Sequence, residues 1–246
     1  MTNNFSEILN KNAIVFPDKV FCQKINGGKV TFLDLEKYVN QCCLYLEELG
    51  IFQDQILTIA IPNSIASIIL YFSGLRSGII VNPCPSSLSE SELLNNVKFV
   101  ESKLLITKKS LSKKNKDHSC IKLIIDNDEE FLNVLKSYSA NPFFREINHN
   151  STACLYYSSG TTGNSKCVMY SHQNMVSLVS SIATSFNFSE KTIHLGVLPL
   201  GHTAIINYSF LPAMFSGSTI YLAENFNSIR QNFWKLVVEL EISYLQ

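Results

Sequence analysis

The run Ser158–Lys166, which reads SSGTTGNSK, holds the residues of this sequence best suited to chemistry on a phosphate. Gly160 and Gly163 allow the backbone to approach an anion closely and to turn its N–H groups toward it. Lys166 adds a positive charge, and the run contains no carboxylate that would repel the ligand. Hydroxyl groups that can donate to phosphate oxygens or face a magnesium ion belong to Ser158, Ser159, Thr161 and Thr162. The run therefore predicts a loop that binds a polyphosphate.

Two other interpretations of this run stay open on composition alone. Loops rich in serine, glycine and threonine are common connections between strands, so an ordinary loop is an equal alternative. A Walker P-loop needs glycine directly before the lysine and serine or threonine directly after it, whereas Ser165 and Cys167 occupy those positions. The run thus argues against a kinase or GTPase with that motif. An unrelated phosphotransferase that uses the loop by convergence is the second alternative.

The segments on either side of the run predict how it is held. Thr152–Tyr157 is apolar and aromatic, as in a buried strand, and Val168–Tyr170 returns to strand character. Ser171 is a suitable N-cap for a following helix. The apolar face of that helix includes Met175, Leu178, Val179 and Ile182. A strand, the loop, a second strand and a helix are expected in this order.

Strand and helix signals also alternate along the preceding residues. Short strands are predicted at Val20–Ile25, Ile56–Ile61, Ile79–Val81, Leu104–Thr107 and Ile121–Asp126. Helices are predicted after the capping residue Thr31, over Ser64–Arg76, from Ser89 to Val100 and over Asn127–Tyr138. Asn26-Gly27-Gly28 predicts a hairpin turn, and Asn82-Pro83-Cys84-Pro85 predicts a rigid loop.

This alternation is typical of an α/β fold with layered, largely parallel sheets flanked by helices. A first α/β unit is expected over residues 1–151, and a second unit that carries the loop over residues 152–246. Toward the end of the second unit, Phe233–Leu240 predicts a helix and Glu241–Gln246 the start of a buried strand.

Composition limits the partners of the protein. Of its 246 residues, 46% are apolar and 16% charged, as in a globular, well-buried protein. Twenty basic residues against twenty acidic ones leave no net charge, so nothing favours nucleic acid or a membrane surface as a partner. The basic stretch Lys108–His118 is interpreted as a solvated surface loop in preference to an anion-binding patch. A soluble protein that acts on a small molecule is expected.

The expected compartment is the cytoplasm. The first residues, MTNNFSEILNKN, lack the basic and apolar regions of a secretory signal. The apolar segments Ile65–Phe72 and Ala204–Phe215 fall short of the roughly 18 unbroken apolar residues of a membrane span. The seven cysteines form no CxxC pair and are odd in number, which favours buried thiols in a reducing compartment over a disulfide framework.

The stretch Leu155–Lys166, LYYSSGTTGNSK, resembles the AMP-binding signature of the adenylate-forming superfamily. This superfamily includes acyl-CoA synthetases, coumarate–CoA ligases, luciferases and peptide-synthetase adenylation domains. The pattern differs at Ser165, where proline is usual, and at Cys167, where glycine is usual. Leu195–Asn207, LGVLPLGHTAIIN, resembles the later Leu-Pro-x-Phe-His motif, with Gly201 in place of phenylalanine. Weaker matches, in the family's order, begin at Pro17, Gly50 and Ser77, so the whole chain resembles the family's N-terminal half.

The resemblance implies an ATP-dependent, AMP-forming carboxylic acid–thiol ligase of the acyl-CoA synthetase type. A carboxylate would attack the α-phosphate of ATP to give an acyl-adenylate and pyrophosphate, and a thiol, commonly that of coenzyme A, would then displace AMP. His202 would lie near the reacting carboxylate, whereas His172 is interpreted as a residue that caps or packs at a helix start. With the help of Mg²⁺, the β- and γ-phosphates would be held by Ser158, Ser159, Gly160, Thr161, Thr162, Gly163 and Lys166.

The resemblance also narrows the substrate and the extent of the site. Amino-acid-activating relatives carry an aspartate in the region that matches Leu195–Asn207, which here has no acidic residue. Since a buried ammonium without a counter-charge is costly, a fatty, aryl or other plain carboxylic acid is favoured. The family's motifs for adenine, ribose and the catalytic C-terminal lysine do not occur in this chain. An N-terminal fragment that binds ATP weakly is therefore expected, with an inactive remnant or binding module of the same fold as the alternative.

Overall fold

Two β-sheets organise the protein, whose computed structural model describes residues 4–108, 120–158 and 166–245. The strands are β1 Val20–Lys24, β2 Lys29–Thr31, β3 Ile56–Ala60, β4 Ile80–Pro83, β5 Leu104–Thr107, β6 Ile121–Ile124, β7 Thr152–Ser158, β8 Lys166–Ser171, β9 Ile193–Gly196, β10 Thr219–Leu222 and β11 Tyr244–Leu245. The helices are α1 Phe5–Val15, α2 Phe32–Glu48, α3 Ile65–Ser77, α4 Glu90–Phe99, α5 Asp128–Leu135, α6 His172–Ser185, α7 Thr203–Ile205, α8 Leu211–Ser216 and α9 Phe233–Glu239. Shorter helical turns cover Ile206–Phe210, Phe226–Ser228 and Arg230–Asn232.

Most neighbouring strands in both sheets run parallel. One sheet has six described strands in the order β6-β5-β3-β4-β7-β8, and the other has five in the order β11-β9-β10-β1-β2. The β1–β2 and β7–β8 pairs are antiparallel, and the other described pairs are parallel. The predicted α/β fold, with largely parallel sheets flanked by helices, is confirmed. In such folds ligands bind beyond the carboxyl ends of the strands.

Each sheet combines strands from both parts of the chain. β1, near the start of the sequence, pairs with β10, near its end, through Cys22 opposite Ile220. β7 and β8 extend the sheet that β3 to β6 begin. The predicted units, residues 1–151 and 152–246, therefore do not coincide with the division between the sheets, and that boundary stays a prediction.

Helix α3 is buried along its whole length. Its Phe72 packs against Phe21 of β1 and Phe210, with ring centroids 6.1 and 5.1 Å apart. On the six-stranded sheet, Gly74 lies so close to Val81 of β4 that a Cβ would come within 2.6 Å of the valine Cγ2. The helix thus packs against both sheets, and the turn before it is joined to a helix that is held on both sides.

Helix boundaries follow the local signals in the sequence. Thr31 and Asp34 form a capping box at the start of α2, and Ser89 and Glu92 form another at the start of α4, as predicted. α3 ends at Gly78, whose φ of 68° places it in the left-handed region that favours glycine. In the described residues, no helix is both long and apolar enough to cross a membrane.

The predicted rigid loop at residues 82–85 is wrong in its first half. Asn82 and Pro83 are the last residues of β4 and pair with Thr58 and Ile59 of β3. Proline lacks the N–H that a strand interior needs, which is why the sequence favours a loop. The ladder continues because the N–H of Cys84 donates to the carbonyl oxygen of Ile59 at 2.8 Å.

His194 on β9 is a titratable side chain enclosed by aromatic rings. Its ring centroid lies 4.7 Å from that of Phe188 and 5.3 Å from that of Tyr244, which belongs to the paired strand β11. Within the described ranges, neither ring nitrogen reaches a hydrogen-bond partner. Burial lowers the pKa of His194 to about 4, because the charged ring would lose its hydration. The folded state therefore holds a neutral imidazole.

The free energy of unfolding should decrease as the pH falls from 6.5 toward about 4. In this window the unfolded chain binds a proton at His194 and the folded chain does not, so acid favours unfolding. His194→Phe removes this contribution and should reduce the loss between pH 7 and pH 5 by about 2 kcal/mol. Urea titrations at the two pH values measure the difference, and an unchanged loss in the variant would contradict the assignment.

Candidate functional site

The predicted phosphate-binding run joins two paired strands. Ser158 ends β7, Lys166 begins β8, and these residues are opposite one another in the antiparallel ladder. β7 runs parallel to β4, and β4 to β3, so the run leaves β7 at the end of the sheet where those strands also finish. The predicted strands on both sides of the loop are confirmed, whereas contacts with phosphate stay a prediction. The intervening site residues lie outside the described part of the chain: Ser159, Gly160, Thr161, Thr162 and Gly163.

Asn63 lies in the turn between β3 and α3, with its side chain almost fully buried. Its Nδ2 donates to the carbonyl oxygens of Leu198 and Ala223 at 2.8 and 2.9 Å. Its Oδ1 accepts from the N–H of Leu200 at 2.7 Å. The segment with Leu198 and Leu200 follows β9, and Ala223 follows β10, so all three partners lie just beyond the ends of strands of the five-stranded sheet. Asn63 therefore joins strand ends of both sheets.

His202 follows this segment directly and caps the start of α7. Its backbone N–H donates to the carbonyl oxygen of Pro199 at 2.8 Å, and its Nδ1 accepts from the N–H of Ala204 at 3.2 Å. A neutral imidazole whose Nδ1 is an acceptor carries its proton on Nε2. The side chain is exposed, so this Nε2–H can donate to an oxygen of a ligand. Contact between His202 and a substrate stays a prediction.

Gly201 is pressed against the backbone that follows β4. A Cβ at this position would lie 2.2 Å from the carbonyl carbon of Cys84 and 2.3 Å from the nitrogen of Pro85, so a side chain does not fit. The phenylalanine usual in the resembling motif is thus replaced by a direct backbone contact between two loops. Pro85 also lines a cavity of about 380 Å³. The other lining residues of this cavity are Ala60, Pro62, Ser86, Leu88, Glu90, Leu93, Thr107, Lys108 and Glu224.

Two cysteines lie at the base of the predicted loop. Cys167 of β8 is opposite Tyr157 of β7, one pair before Ser158 and Lys166. Burial raises the pKa of Cys167, and burial, together with the neighbouring Cys154 and Cys167 thiols, raises the pKa of Cys84 to about 12. Both remain protonated thiols, which are poor nucleophiles. Among the residues described, no group of three His, Cys, Asp or Glu side chains is placed to hold a metal ion.

A π-helical turn, Ile206–Phe210, follows α7 a few residues after His202. The N–H of Leu211 donates to the carbonyl oxygen of Ile206, five residues earlier. Pro212 has no N–H with which to continue the α-helical ladder, so the wider turn accommodates it. π-turns occur frequently at functional sites, and this one begins at Ile206, near the end of the resembling stretch Leu195–Asn207.

His172 is buried at the start of α6, and its backbone N–H donates to the carbonyl oxygen of Ser151. Because β8 runs away from the predicted loop, His172 lies toward the opposite end of the sheet. Burial, followed by the nearby His149, lowers the pKa of His172 to about 4. A neutral, desolvated ring at this place favours the interpretation of His172 as a packing residue.

The sequence does not single out Asn63 as a site residue. The available signal is a polar amide between an apolar strand and a wholly apolar helix, since a buried amide needs partners for its donors and acceptor. The partners themselves lie far along the chain, at residues 198, 200 and 223. No local pattern identifies them.

Gly201→Ala should destabilise the fold by about 1–3 kcal/mol, because the new methyl group displaces the Cys84–Pro85 backbone. Gly28→Ala is a matched control, since a Cβ at Gly28 meets nothing within 4 Å. The control should stay within about 0.5 kcal/mol of the parent chain. Chemical unfolding of both variants measures the difference, and equal stabilities would show that the close approach is not required.

Comparisons with known proteins agree with this fold. A sequence model of the family described as AMP-binding enzyme matches residues 9–246. The probable CoA ligase CCL5 of Humulus lupulus is 26% identical over 220 residues, which cover 84% of this chain and 40% of that protein. The peroxisomal OPC-8:0-CoA ligase 1 of Arabidopsis thaliana is 26% identical over 218 residues, with 84% of this chain and 40% of that protein covered. The chain thus spans about 40% of the length of these curated relatives.

Solved structures share the fold at lower sequence identity. The N-terminal domain of FACL13 from Mycobacterium tuberculosis gives a TM-score of 0.89 at 22% identity, over 98% of this chain and 62% of that one. Apo MatB from Rhodopseudomonas palustris gives 0.85 at 18% identity, over 100% of this chain and 49% of that one. Because the family match extends over residues 9–246, the chain belongs to the AMP-binding enzyme family.

Proposed function

We propose that the chain is the N-terminal part of an ATP-dependent, AMP-forming carboxylic acid–thiol ligase of the acyl-CoA synthetase type. The pairing of Ser158 with Lys166 carries the proposal, because the glycine- and hydroxyl-rich run begins and ends there, and Ser158 lies at the carboxyl end of a strand that runs parallel to β4. Several relatives are themselves named as CoA ligases, which supports the same reaction class. ATP, a carboxylic acid and coenzyme A are the proposed substrates, and Mg²⁺ enters with the phosphates of ATP.

In the proposed first step, a carboxylate oxygen forms a bond to the α-phosphorus of ATP. The bond from that phosphorus to the oxygen bridging the α- and β-phosphates breaks, and pyrophosphate leaves with the electron pair. Positioning and neutralisation of the departing charge are the main requirements of such a transfer. Lys166 supplies a positive charge for the β- and γ-phosphates. The proposed hydroxyl and N–H donors are those of Ser158, Ser159, Gly160, Thr161, Thr162 and Gly163.

In the second step, the thiol sulfur forms a bond to the acyl carbon and the bond from that carbon to the phosphate oxygen of AMP breaks. AMP leaves with the electron pair, and the thiol proton passes to solvent. His202 acts in the first step, where its Nε2–H donates to an oxygen of the reacting carboxylate, consistent with the Ala204 N–H bonded to its Nδ1. Since Leu195–Asn207 contains no acidic residue to hold a substrate ammonium, a fatty, aryl or other plain acid is the proposed substrate.

Lys166→Ala should weaken binding of MgATP and of magnesium pyrophosphate by about tenfold or more, because it removes a charge-assisted contact. Lys191→Ala is the matched control, since Lys191 is also an exposed lysine and lies in the turn before β9. Isothermal titration of the chain with each ligand measures the two affinities. Equal binding by Lys166→Ala and the parent chain would argue against the phosphate-binding role.

His202→Ala in the full-length enzyme should reduce acid-dependent ATP–pyrophosphate exchange at least tenfold while leaving pyrophosphate binding unchanged. The reason is that His202 is proposed to contact the carboxylate and not the phosphates. Exchange is measured with simple carboxylic acids and, in parallel, with amino acids. Exchange with amino acids alone would overturn the substrate class, and release of ADP would favour an unrelated phosphotransferase. Pyrophosphate binding without exchange would favour a binding module.

A further inference from the structure

We infer that Asn63 is a positioning residue for His202, because its side-chain amide holds the segment that presents the imidazole. The inference rests on the proposed function for the role of His202, whereas the contacts of Asn63 stand on geometry alone. Asn63 is the asparagine of the turn in the weaker match that begins at Gly50, but neither that resemblance nor a comparison assigns a role to its amide. Its place in the fold, between the strand ends of two sheets, identifies it.

The three hydrogen bonds that the Asn63 side chain forms in the described structure all go to backbone groups. Two donor bonds, of 2.8 and 2.9 Å, go to the carbonyl oxygens of Leu198 and Ala223, and the 2.7 Å bond to Oδ1 comes from Leu200. The side chain is nearly inaccessible to water. Loss of the amide donors would leave buried carbonyl groups unpaired, and such groups shift to find other partners. The backbone on both sides of Pro199 therefore depends on this side chain.

The link from this backbone to His202 is short. Leu200 lies two residues before His202, and the carbonyl oxygen of Pro199, between the two residues bound by Asn63, accepts the N–H of His202 at 2.8 Å. The Nδ1 of His202 then accepts from Ala204 in the first turn of α7. A displacement of residues 198–200 thus moves the turn, the start of α7 and the imidazole together.

Asn63 is itself held in place by the residues that follow it, so it can fix the position of residues 198–200. The next residue, Ser64, caps α3 in a capping box with Ser67. The N–H of Ala66 donates to Asp128 Oδ1 at 2.9 Å, and the same carboxylate forms a 2.7 Å ion pair with Lys24. α3 is buried throughout its length. The rigid turn before α3 therefore sets the position of the exposed His202 segment.

Selective isotope labelling of the five histidines allows a test by NMR without nucleotide or substrate. Asn63→Asp keeps the shape of the side chain but removes both donors. The ring carbon and nitrogen signals of His202, assigned by their absence in His202→Asn, should shift from the pattern of a ring protonated on Nε2. The signals of the buried His172 and His194 should keep their positions.

Asn40→Asp is the matched control for this experiment. Asn40 is buried in α2, where its Nδ2 donates to the carbonyl oxygen of Ala140 at 3.5 Å and its Oδ1 accepts from the N–H of Phe143 at 3.0 Å, away from residues 198–202. This variant should leave the His202 signals in place, and Asn63→Ala, which removes the amide without adding a charge, should shift them as Asn63→Asp does.

Three results would overturn the positioning role. The His202 signals could stay unchanged in Asn63→Asp, or the control Asn40→Asp could shift them equally. Alternatively, the signals of His172 and His194 could move together with those of His202 in both Asn63 variants, as in general unfolding, which leaves Asn63 with a structural role only. The NMR test contains no nucleotide, so its outcome is independent of phosphate binding. Normal phosphate binding by Lys166→Ala would therefore count against the proposed function but would not change the NMR signals of His202.

Discussion

The buried amide of Asn63 is the interaction on which the arrangement of the site depends. Loops that follow parallel strands and are buried from water have backbone N–H and carbonyl groups that need hydrogen-bond partners within the protein. Asn63 satisfies such groups in two loops at once, at Leu198 and Leu200 after β9 and at Ala223 after β10. A single side chain in the turn after β3 of the six-stranded sheet therefore holds two loops that leave the carboxyl end of the five-stranded sheet. The wholly buried α3 gives this amide a rigid support.

A second constraint acts on the same segment through sterics. Gly201 touches the Cys84–Pro85 backbone closely enough to exclude a Cβ, so the loop after β9 is fixed by hydrogen bonds on one side and by contact on the other. Where the resembling motif usually has phenylalanine, this chain has a glycine in direct contact with the backbone of the loop after β4. That loop also forms part of the wall of the nearby cavity. The backbone contact at Gly201 therefore lies one residue before His202.

Local features of this fold are predictable from sequence because local interactions cause them. The capping boxes at Thr31 and Ser89, the end of α3 at Gly78 and the strands around Ser158–Lys166 each depend on a few consecutive residues. The order of strands is different in kind, since pairs such as β1 with β10 join opposite ends of the chain. Asn63 falls in the same class, because its three partners are all distant in sequence. Pro83 within β4 shows that a local rule also fails where a neighbouring residue completes the ladder.

Three histidines of this chain show how environment, and not residue type, selects a chemical role. The rings of His172 and His194 are buried, and the pKa of each is lowered to about 4, so both are held neutral without contact with solvent. His202 is exposed, and the Ala204 N–H bonded to its Nδ1 directs the proton to Nε2. In the proposed reaction, Lys166 extends from the six-stranded sheet and His202 from the five-stranded one. The distance between a phosphate-binding charge and a carboxylate-binding imidazole then depends on how the sheets are joined, and Asn63 is a side chain that joins them.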